Sequence, residues 1–387
     1  MATGQVSTYN LPTGTKLSVE NIIYVIDPVD VPLQGTYNGS TNLPPTAGNN
    51  SIISQDDDIN EKLYQWQEEN LLTPRTTLAA TYATADLFLL VASGQQSRFG
   101  TGDVIRIDAE VVRVTGYGST ADTLLAARAY GGTTAAQHSN TANVVGIGKA
   151  LREGADSEAA RFRDRIMQTN LTQIFGPERI EITESEQAIV MKGGKFGITD
   201  EFGHQVTNRT REMIVGFEQA ILYGVRFEDT SNNWRTMGGA AFFLTLNSGQ
   251  IDSTTTQVSY SAYVALAQGS YNNGGKIDTI VVGPTQKTKM SSFDSASIRL
   301  ARPETIRGQV VDRIISDYGE ADIVLDRWVL PSDLFGFDRQ WLSIPTLRPL
   351  HFEVIAKTGD AMKGHVVGEK GFRLRMAPRH LRMTALT

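Results

Sequence analysis

The chain has 387 residues, 40% hydrophobic and 20% charged, enough for two or three compact units that each bury a core. A formal net charge of −6 argues against a protein that draws its affinity from polyanions, while leaving room for a local basic patch. The absence of cysteine excludes disulfides, thiolate zinc sites and thiol catalysis.

The first stretch, MATGQVSTYNLPTG, lacks the basic start and apolar run of a secretory signal. No apolar run approaches the ~20 residues that span a bilayer, so no membrane partner is expected. Residues 1–18 are rich in Gly, Thr, Ser and Pro and have little to bury. A short strand or helix around Asn21 to Ile26 ends at Asp27-Pro28, and Pro32, Gly35, Asn38, Gly39, Pro44, Pro45 and Gly48 punctuate the next twenty or so residues. Fifty residues of such loose pattern suit a segment lying across a neighbouring subunit; a disordered tail is the alternative.

Glu61 to Leu71, EKLYQWQEENL, reads as a strand with Tyr64 and Trp66 on one face. From Leu78 to Gly148 the composition shifts. Short β-branched and apolar runs at Leu87 to Val91, Val104 to Ile107, Val111 to Val114 and Asn143 to Ile147 alternate with Gly- and Thr-rich turns. Four or five strands at this spacing suggest a small all-β domain inserted at the tip of a long hairpin or loop. Beyond it, Thr172, Ile174 and Phe175, then Ile180 and Ile182, read as strand.

Phe196 to Val225 carries the longest periodic pattern. Thr199 can cap a helix with Asp200 and Glu201 in its first turn. Phe202, Val206, Met213, Phe217, Ala220 and Ile221 make one apolar stripe, and Gly224 is a natural stop. At ~1.5 Å per residue the segment spans roughly 36 Å, a rod on which other elements can be laid. Met237 to Leu244 is small and apolar. A second helix runs from Ser259 to Tyr271 and stops at Asn272-Asn273-Gly274-Gly275. Asp278 to Val282 leads through Gly283-Pro284 into a third helix, an α/β step. Val310 to Ile315, Ala321 to Leu325, Asp333 to Phe337 and Phe352 to Ile355 read as strands. The closing strand is Gly371 to Met376, with Phe372, Leu374 and Met376 on one face and Arg373 and Arg375 on the other.

The order of the arm, the Tyr64-Gln65-Trp66-Gln67-Glu68-Glu69 hairpin, Asn170-Leu171-Thr172-Gln173-Ile174-Phe175 and Gly197-Ile198-Thr199-Asp200-Glu201, then the long helix ending Glu218-Gln219-Ala220-Ile221-Leu222-Tyr223-Gly224, and Met237-Gly238-Gly239, resembles tailed-bacteriophage major capsid proteins. The nearest group is the Hong Kong 97 type with an insertion in its extended loop, and the likeness covers about Glu20 to Thr384. The fold class it implies is α+β, with an N-arm, an E-loop, a P-domain built on the long spine helix, an A-domain, and a small all-β insertion domain. Its implied boundaries are 1–50 for the N-arm, 51–77 and 149–195 for the E-loop and P-domain strands, and 78–148 for the insertion. The spine helix takes 196–235, the A-domain 236–350, and closing P-domain strands 351–387. The segments FGTGDVIRIDAEVVRVT and RAYGGTTAAQHS are similar to small β-domains of other phage structural proteins.

The resemblance implies a major capsid protein of the virion, assembled in the host bacterial cytoplasm as hexamers and pentamers of itself into an icosahedral shell. Packaged double-stranded DNA would be held by weak non-specific contact, with a portal and a scaffold or decoration protein as further partners. The alternative is a β-rich binding or adhesion protein whose inserted module recognises carbohydrate or protein; an α/β hydrolase or nucleotide enzyme comes third. No catalytic, metal or cofactor residue is expected. The residues singled out are Tyr64 and Trp66, expected as an intersubunit contact outside the subunit's own core because Glu61, Lys62, Glu68 and Glu69 flank them.

Three features tempt other readings. Ile280 to Thr288 resembles a strand, glycine turn and Lys-Thr, but a phosphate-cradling loop needs glycine where Gln286 and Val281 stand. Asp56-Asp57-Asp58 lacks the alternating oxygen ligands and glycine of a calcium loop. His138, His204, His351, His365 and His380 include no i, i+4 pair, and no Gly-x-Ser-x-Gly elbow is present.

Overall fold

A computed structural model describes residues 31–34, 52–69, 73–154, 165–188, 201–291, 313–357 and 359–387. Most of the expected arm, the cap Thr199, and Asp200 lie outside the described residues. The chain divides into two compact units, one of residues 1–66 and 169–387, the other of residues 67–168.

In the first unit the long helix runs Glu201–Tyr223 among the described residues. Its buried residues include Phe202, Met213, Ile214, Phe217, Ile221 and Leu222, the expected stripe widened by the neighbours of Met213 and Ile221. The N-terminal half packs on a five-stranded sheet. Phe202 meets Phe352 edge-on with ring centroids 5.5 Å apart, and Met213 joins Ile180, Ile182 and Val366 in one small core. That sheet runs in the order Ser54–Asp58, Leu342–Ile355, Ala361–Lys370, Gln173–Thr183, with Arg373–Leu374 also pairing Leu342–Ile355. Ser54–Asp58 is parallel to its neighbour and the remaining pairs are antiparallel.

The second sheet of this unit has six strands in the order Gln250–Asp252, Leu381–Met383, Leu334–Phe337, Thr279–Val282, Gly319–Leu325, Arg313–Ser316. Thr279–Val282 is buried at every position. Val281 points into the core that holds the C-terminal half of the long helix, and Ile280 and Val282 into a second core with Tyr263 and Ala267. A strand covered on both faces cannot alternate apolar with polar, which is why this one reads as a continuous apolar run. Tyr263 and Ala267 belong to the helix Tyr260–Asn272, whose first turn is capped by Ser259, the hydroxyl accepting from the Ala262 N–H at 3.2 Å.

Two implied boundaries need correction. Leu342–Ile355 crosses the 350 limit as one strand, belonging to the five-stranded sheet throughout. The last strand, Leu381–Met383, does not return to that sheet with the other closing strands; it pairs with Leu334–Phe337 and Gln250–Asp252 in the six-stranded one. Its Leu381 and Met383 fill the core beneath Tyr263, which sequence spacing alone does not reveal. The expected strand Gly371 to Met376 shrinks to Arg373–Leu374, because Met376 turns to a left-handed φ of 54°.

The second unit is a six-stranded antiparallel sheet in the order Arg75–Thr77, Asn143–Lys149, Asp103–Ile107, Glu110–Tyr117, Thr123–Ala127, Phe88–Leu90. Its core includes Leu78, Leu89, Phe99, Ile105, Ile107, Val112, Val114, Leu124 and Val144. The expected limits of 78 and 148 are too narrow, since Arg75–Thr77 pairs with Asn143–Val145 and Gly146 lies against Pro74.

The long helix ends where the backbone of Gly238-Gly239 crosses it. The Gly224 N–H donates to the Ala220 carbonyl at 2.9 Å, and the Gly239 N–H to the Gly224 carbonyl at 2.8 Å. A Cβ on Gly239 would sit 2.5 Å from the Ala220 oxygen and 2.7 Å from both the Gly224 nitrogen and the Ile221 oxygen. All three atoms are backbone and cannot swing away. Gly239→Ala is therefore expected to cost about 1–3 kcal/mol, read as a lower denaturant midpoint at unchanged slope. An unchanged midpoint would mean that the crossing is looser than its geometry.

Candidate functional site

The two aromatics that sequence placed at an interface lie inside the subunit. The strand Leu63–Glu69 presents Tyr64 and Trp66 to one side, as its alternation predicts, but that side is the subunit's largest core. Trp66 is 8% exposed, stacked against Tyr64 at 6.1 Å between ring centroids and edge-on to Phe243 at 5.7 Å. The Tyr64 hydroxyl donates to the Phe372 carbonyl at 2.6 Å, and burial raises its pKa further above the usual phenol range. The expectation that Trp66 stands outside the core is thus corrected. The charged neighbours misled because a strand alternates, so Gln65, Gln67 and Glu69 face outward while Tyr64 and Trp66 face in, and Glu68 shares their side only beyond the core.

Around these rings the chain is stitched by buried polar groups that sequence reasoning did not single out. Asn170 is fully buried. Its amide donates to the Gly238 carbonyl at 3.0 Å and the Phe372 carbonyl at 2.7 Å, and its oxygen accepts from the N–H groups of Gly238 at 2.8 Å and Leu171 at 2.9 Å. Four bonds use the whole capacity of an amide side chain. The residue thereby ties together the Gly238 turn, the Phe372 turn and its own strand end. Glu369 accepts from the Thr172 hydroxyl at 2.6 Å and pairs with Arg235 and, at 3.3 Å, with Arg348. Burial raises its pKa, but the Thr172 and Arg235 bonds outweigh that and leave it lowered.

Glu218, on the long helix, is fully buried and holds a piece of the expected arm. The Leu33 N–H donates to one of its oxygens at 2.7 Å and the Gln34 amide to the other at 2.8 Å. Gln34 also donates to the Ile214 carbonyl at 3.0 Å. Burial, with Asp326 adding repulsion, pushes the Glu218 carboxyl up to about 8. An acid near the end of the long helix is thus the clamp for Val31 to Gln34, and only its long-range partners show it.

In the second unit the RAYGGTTAAQHS segment closes around one carboxylate. Arg128 donates through Nε and Nη2 to the two oxygens of Glu110, each at 2.7 Å. Glu110 also accepts the N–H groups of Ala129 at 3.1 Å and Ala136 at 3.0 Å, and His138 Nε2 lies 2.9 Å away. His138 Nδ1 is 2.9 Å from Asp108. Gly131 and Gly132, at φ of 68° and 83°, supply the left-handed backbone that turns the segment back toward the sheet. Burial opposes ionisation of Glu110, but the Arg128, Ala136, His138 and Ala129 bonds prevail and bring its carboxyl to about 2. The chemistry of the motif is structural: Arg128, two backbone N–H groups and His138 converge on one acid, while Arg128 Nη1 also donates to the Ala83 and Asp86 carbonyls at 2.9 and 3.0 Å.

The lookalike phosphate turn is filled by the chain itself. Gln286 is buried, its amide donating to the Pro331 carbonyl at 2.6 Å, and a Cβ on Gly283 would meet the Val329 oxygen at 2.9 Å. Glycine serves close backbone packing there, at the start of the short helix Pro284–Met290. His380 is buried with Nδ1 accepting from the Asp338 N–H at 3.2 Å and Nε2 donating to the Arg375 carbonyl at 3.1 Å; burial brings its pKa down to about 4. Among the described residues no group of three or more His, Asp or Glu side chains is placed to hold a metal ion, and no helix is long and apolar enough to cross a membrane.

These positions carry two testable outcomes. Trp66→Ala is expected to destabilise the folded subunit by about 3–5 kcal/mol, measured by denaturant unfolding of unassembled protein, because it empties the centre of a core. Unaltered subunit stability would show the ring to be dispensable there. The Glu110 carboxyl, lowered from 4.5 to about 2, adds stability that is fully present above 4.5 and is lost as pH falls from there through 2. The gap in thermal midpoint between the parent and Glu110→Gln should therefore be wide at neutral pH and shrink across that window. A gap that does not change with pH would contradict an ionised, clamped Glu110.

The SU10 major capsid protein family model matches residues 2–387. No curated protein matches the chain by sequence. Among solved structures, the capsid of Myoviridae phage XM1 superposes with a TM-score of 0.51 at 9% identity, covering 99% of each chain. A structure from Microbacterium phage Oxtober96 gives 0.47 at 9% identity over 90% of this chain and 95% of that one. A structure of phage G major capsid and decoration proteins gives 0.38 at 8% identity over 60% and 78%. The fold assignment rests on the first of these, a mixed α+β phage capsid fold of the Hong Kong 97 type. With the family model spanning residues 2–387, the chain belongs to the SU10 major capsid protein family, whose members are structural proteins of the phage virion.

Proposed function

We propose that this capsid protein assembles as hexamers and pentamers of itself into an icosahedral shell that packages double-stranded DNA. The observation that carries this reading is the family match, unbroken from residue 2 to residue 387. A net charge of −6 favours weak, non-specific contact with packaged DNA over tight binding. The paired strands Leu63–Glu69 and Arg165–Leu171 are assigned to the stem of the E-loop, and the all-β sheet around residues 78–148, with Arg75–Thr77 at its edge, to an insertion in that loop. Residues 1–50 are assigned to the N-arm, anchored at Val31 to Gln34 by Glu218. The long helix serves as the P-domain spine, and the six-stranded sheet with its helices as the A-domain. A portal and a scaffold or decoration protein complete the partners, with assembly in the host bacterial cytoplasm.

Electron microscopy of the purified full chain tests the reading. Closed shells or isolated hexamers are the expected result. A chain that remains monomeric as it is concentrated would reject self-assembly and return weight to a binding role for residues 67–168.

A further inference from the structure

Just after the long helix, Phe227–Asp229 and Trp234–Thr236 form a two-stranded hairpin. An isolated two-stranded ribbon is marginal in water, so something must hold it. One face is held. Lys62 bonds Glu228 at 2.6 Å, and Arg235 donates to the Thr172 carbonyl at 3.0 Å and pairs with buried Glu369. The turn is fixed as well: Asp229 accepts the N–H groups of Ser231 at 2.8 Å and Asn232 at 3.2 Å, and the Asn232 amide at 2.8 Å.

Strand alternation sends the residues between these anchors to the opposite face. Phe227 pairs with Thr236 and Asp229 with Trp234, so Phe227 and Trp234 are diagonal neighbours on one side of the ribbon. Trp234 is 67% exposed, Phe227 58% and Val225, two residues earlier, 60%. A tryptophan or phenylalanine buries about 150–250 Å² when covered, so roughly 350 Å² of apolar side chain is left open here. The fold therefore fixes a ribbon through ionic anchors and displays its aromatic face to solvent.

We propose that this face, centred on Trp234 and Phe227, is the buried centre of a contact with a second copy of this chain, an inference that rests on the shell-forming function. Three considerations name that occupant. A specific contact buries about 800 Å² per partner, and an aromatic centre of this size with the polar rim Thr230 to Asn233 supplies close to half of one. The ribbon is fixed before contact, so little conformational entropy is lost on docking. A capsid protein meets copies of itself throughout the shell, and a face carried by every subunit is covered by them without any additional partner.

The absence of cysteine from the chain makes the test clean. Phe227→Ser/Trp234→Ser is expected to keep the parent's circular dichroism and thermal midpoint while the yield of particles in a sedimentation gradient falls on the order of tenfold or more, as loss of an aromatic interface anchor entails. Independently, maleimide labelling of Val225→Cys should be on the order of tenfold slower in assembled particles than in dissociated subunits. If the parent forms shells and the double variant does so equally well, or the cysteine reacts at the same rate in both states, the face is not a subunit contact and the shell reading stands. If the parent never associates, the shell reading fails and this inference fails with it. Should the double variant misfold, the labelling ratio alone decides.

Discussion

The first unit depends on one constraint: the helix Glu201–Tyr223 must satisfy two cores at once. Its first half needs flat aromatic and aliphatic cover, and finds it in Phe352, Ile180, Ile182 and Val366 of the five-stranded sheet. Its second half carries Phe217, Ile221 and Leu222 into the core that also holds Trp66, Phe243, Val281 and Phe335. A rod of about 34 Å, at ~1.5 Å per residue, cannot bend to serve two surfaces, so the surfaces are built to the rod. The Gly224 and Gly239 crossing is a consequence. The helix has to end within the second core, and only residues without a side chain let another backbone pass so close to its last turn.

Buried polar groups do the joining that apolar packing leaves undetermined. Apolar contact is non-directional and tolerates sliding, whereas Asn170, Glu218, Glu369 and Glu110 accept bonds only from particular atoms. Each of them connects segments distant in sequence: Asn170 with Gly238 and Phe372, Glu218 with Leu33 and Gln34, Glu369 with Thr172 and Arg235, Glu110 with Arg128 and His138. Leaving any such partner unpaired in the interior costs about 1–3 kcal/mol or more, so the arrangement resists slippage. Their altered pKa values have this structural origin. Glu218 is pushed up by burial, and Glu110 is brought down by the donors converging on it.

Two tryptophans show how a strand separates the inside of a subunit from its outside. Trp66 lies among charged residues and is buried; Trp234 lies among polar residues and is exposed. Local composition is nearly the same for both. What differs is the anchored side of each ribbon. On Leu63–Glu69 the aromatic face meets Phe243 and Phe372, while on the 227–236 hairpin the Glu228 and Arg235 face takes the anchors and turns the rings outward. A protein that builds a shell needs both outcomes, a rigid body and fixed surfaces on it.

The sequence by itself determined the elements whose signal is local. The long helix, its apolar stripe and its stop at Gly224 come from 3.6-residue periodicity and a glycine. The all-β character of the stretch after Leu78 comes from β-branched runs between turns, and the helix expected over Ser259 to Tyr271 was legible from the Asn-Gly stop behind it. The order of these elements also carried the capsid family, since an order is preserved where individual residues change. Tertiary structure decided everything that rests on partners far along the chain. Sequence could place Tyr64 and Trp66 on one face of a strand but not say what that face meets. It could not show that Leu381–Met383 leaves the other closing strands to complete the six-stranded sheet, because register and sheet membership are set by pairing with strands far along the chain, Leu334–Phe337 and Gln250–Asp252. The clamp on Glu218, the four bonds of Asn170 and the exposed side of Trp234 were hidden for the same reason: burial is a property of the folded neighbourhood, and composition records only what is available to be buried.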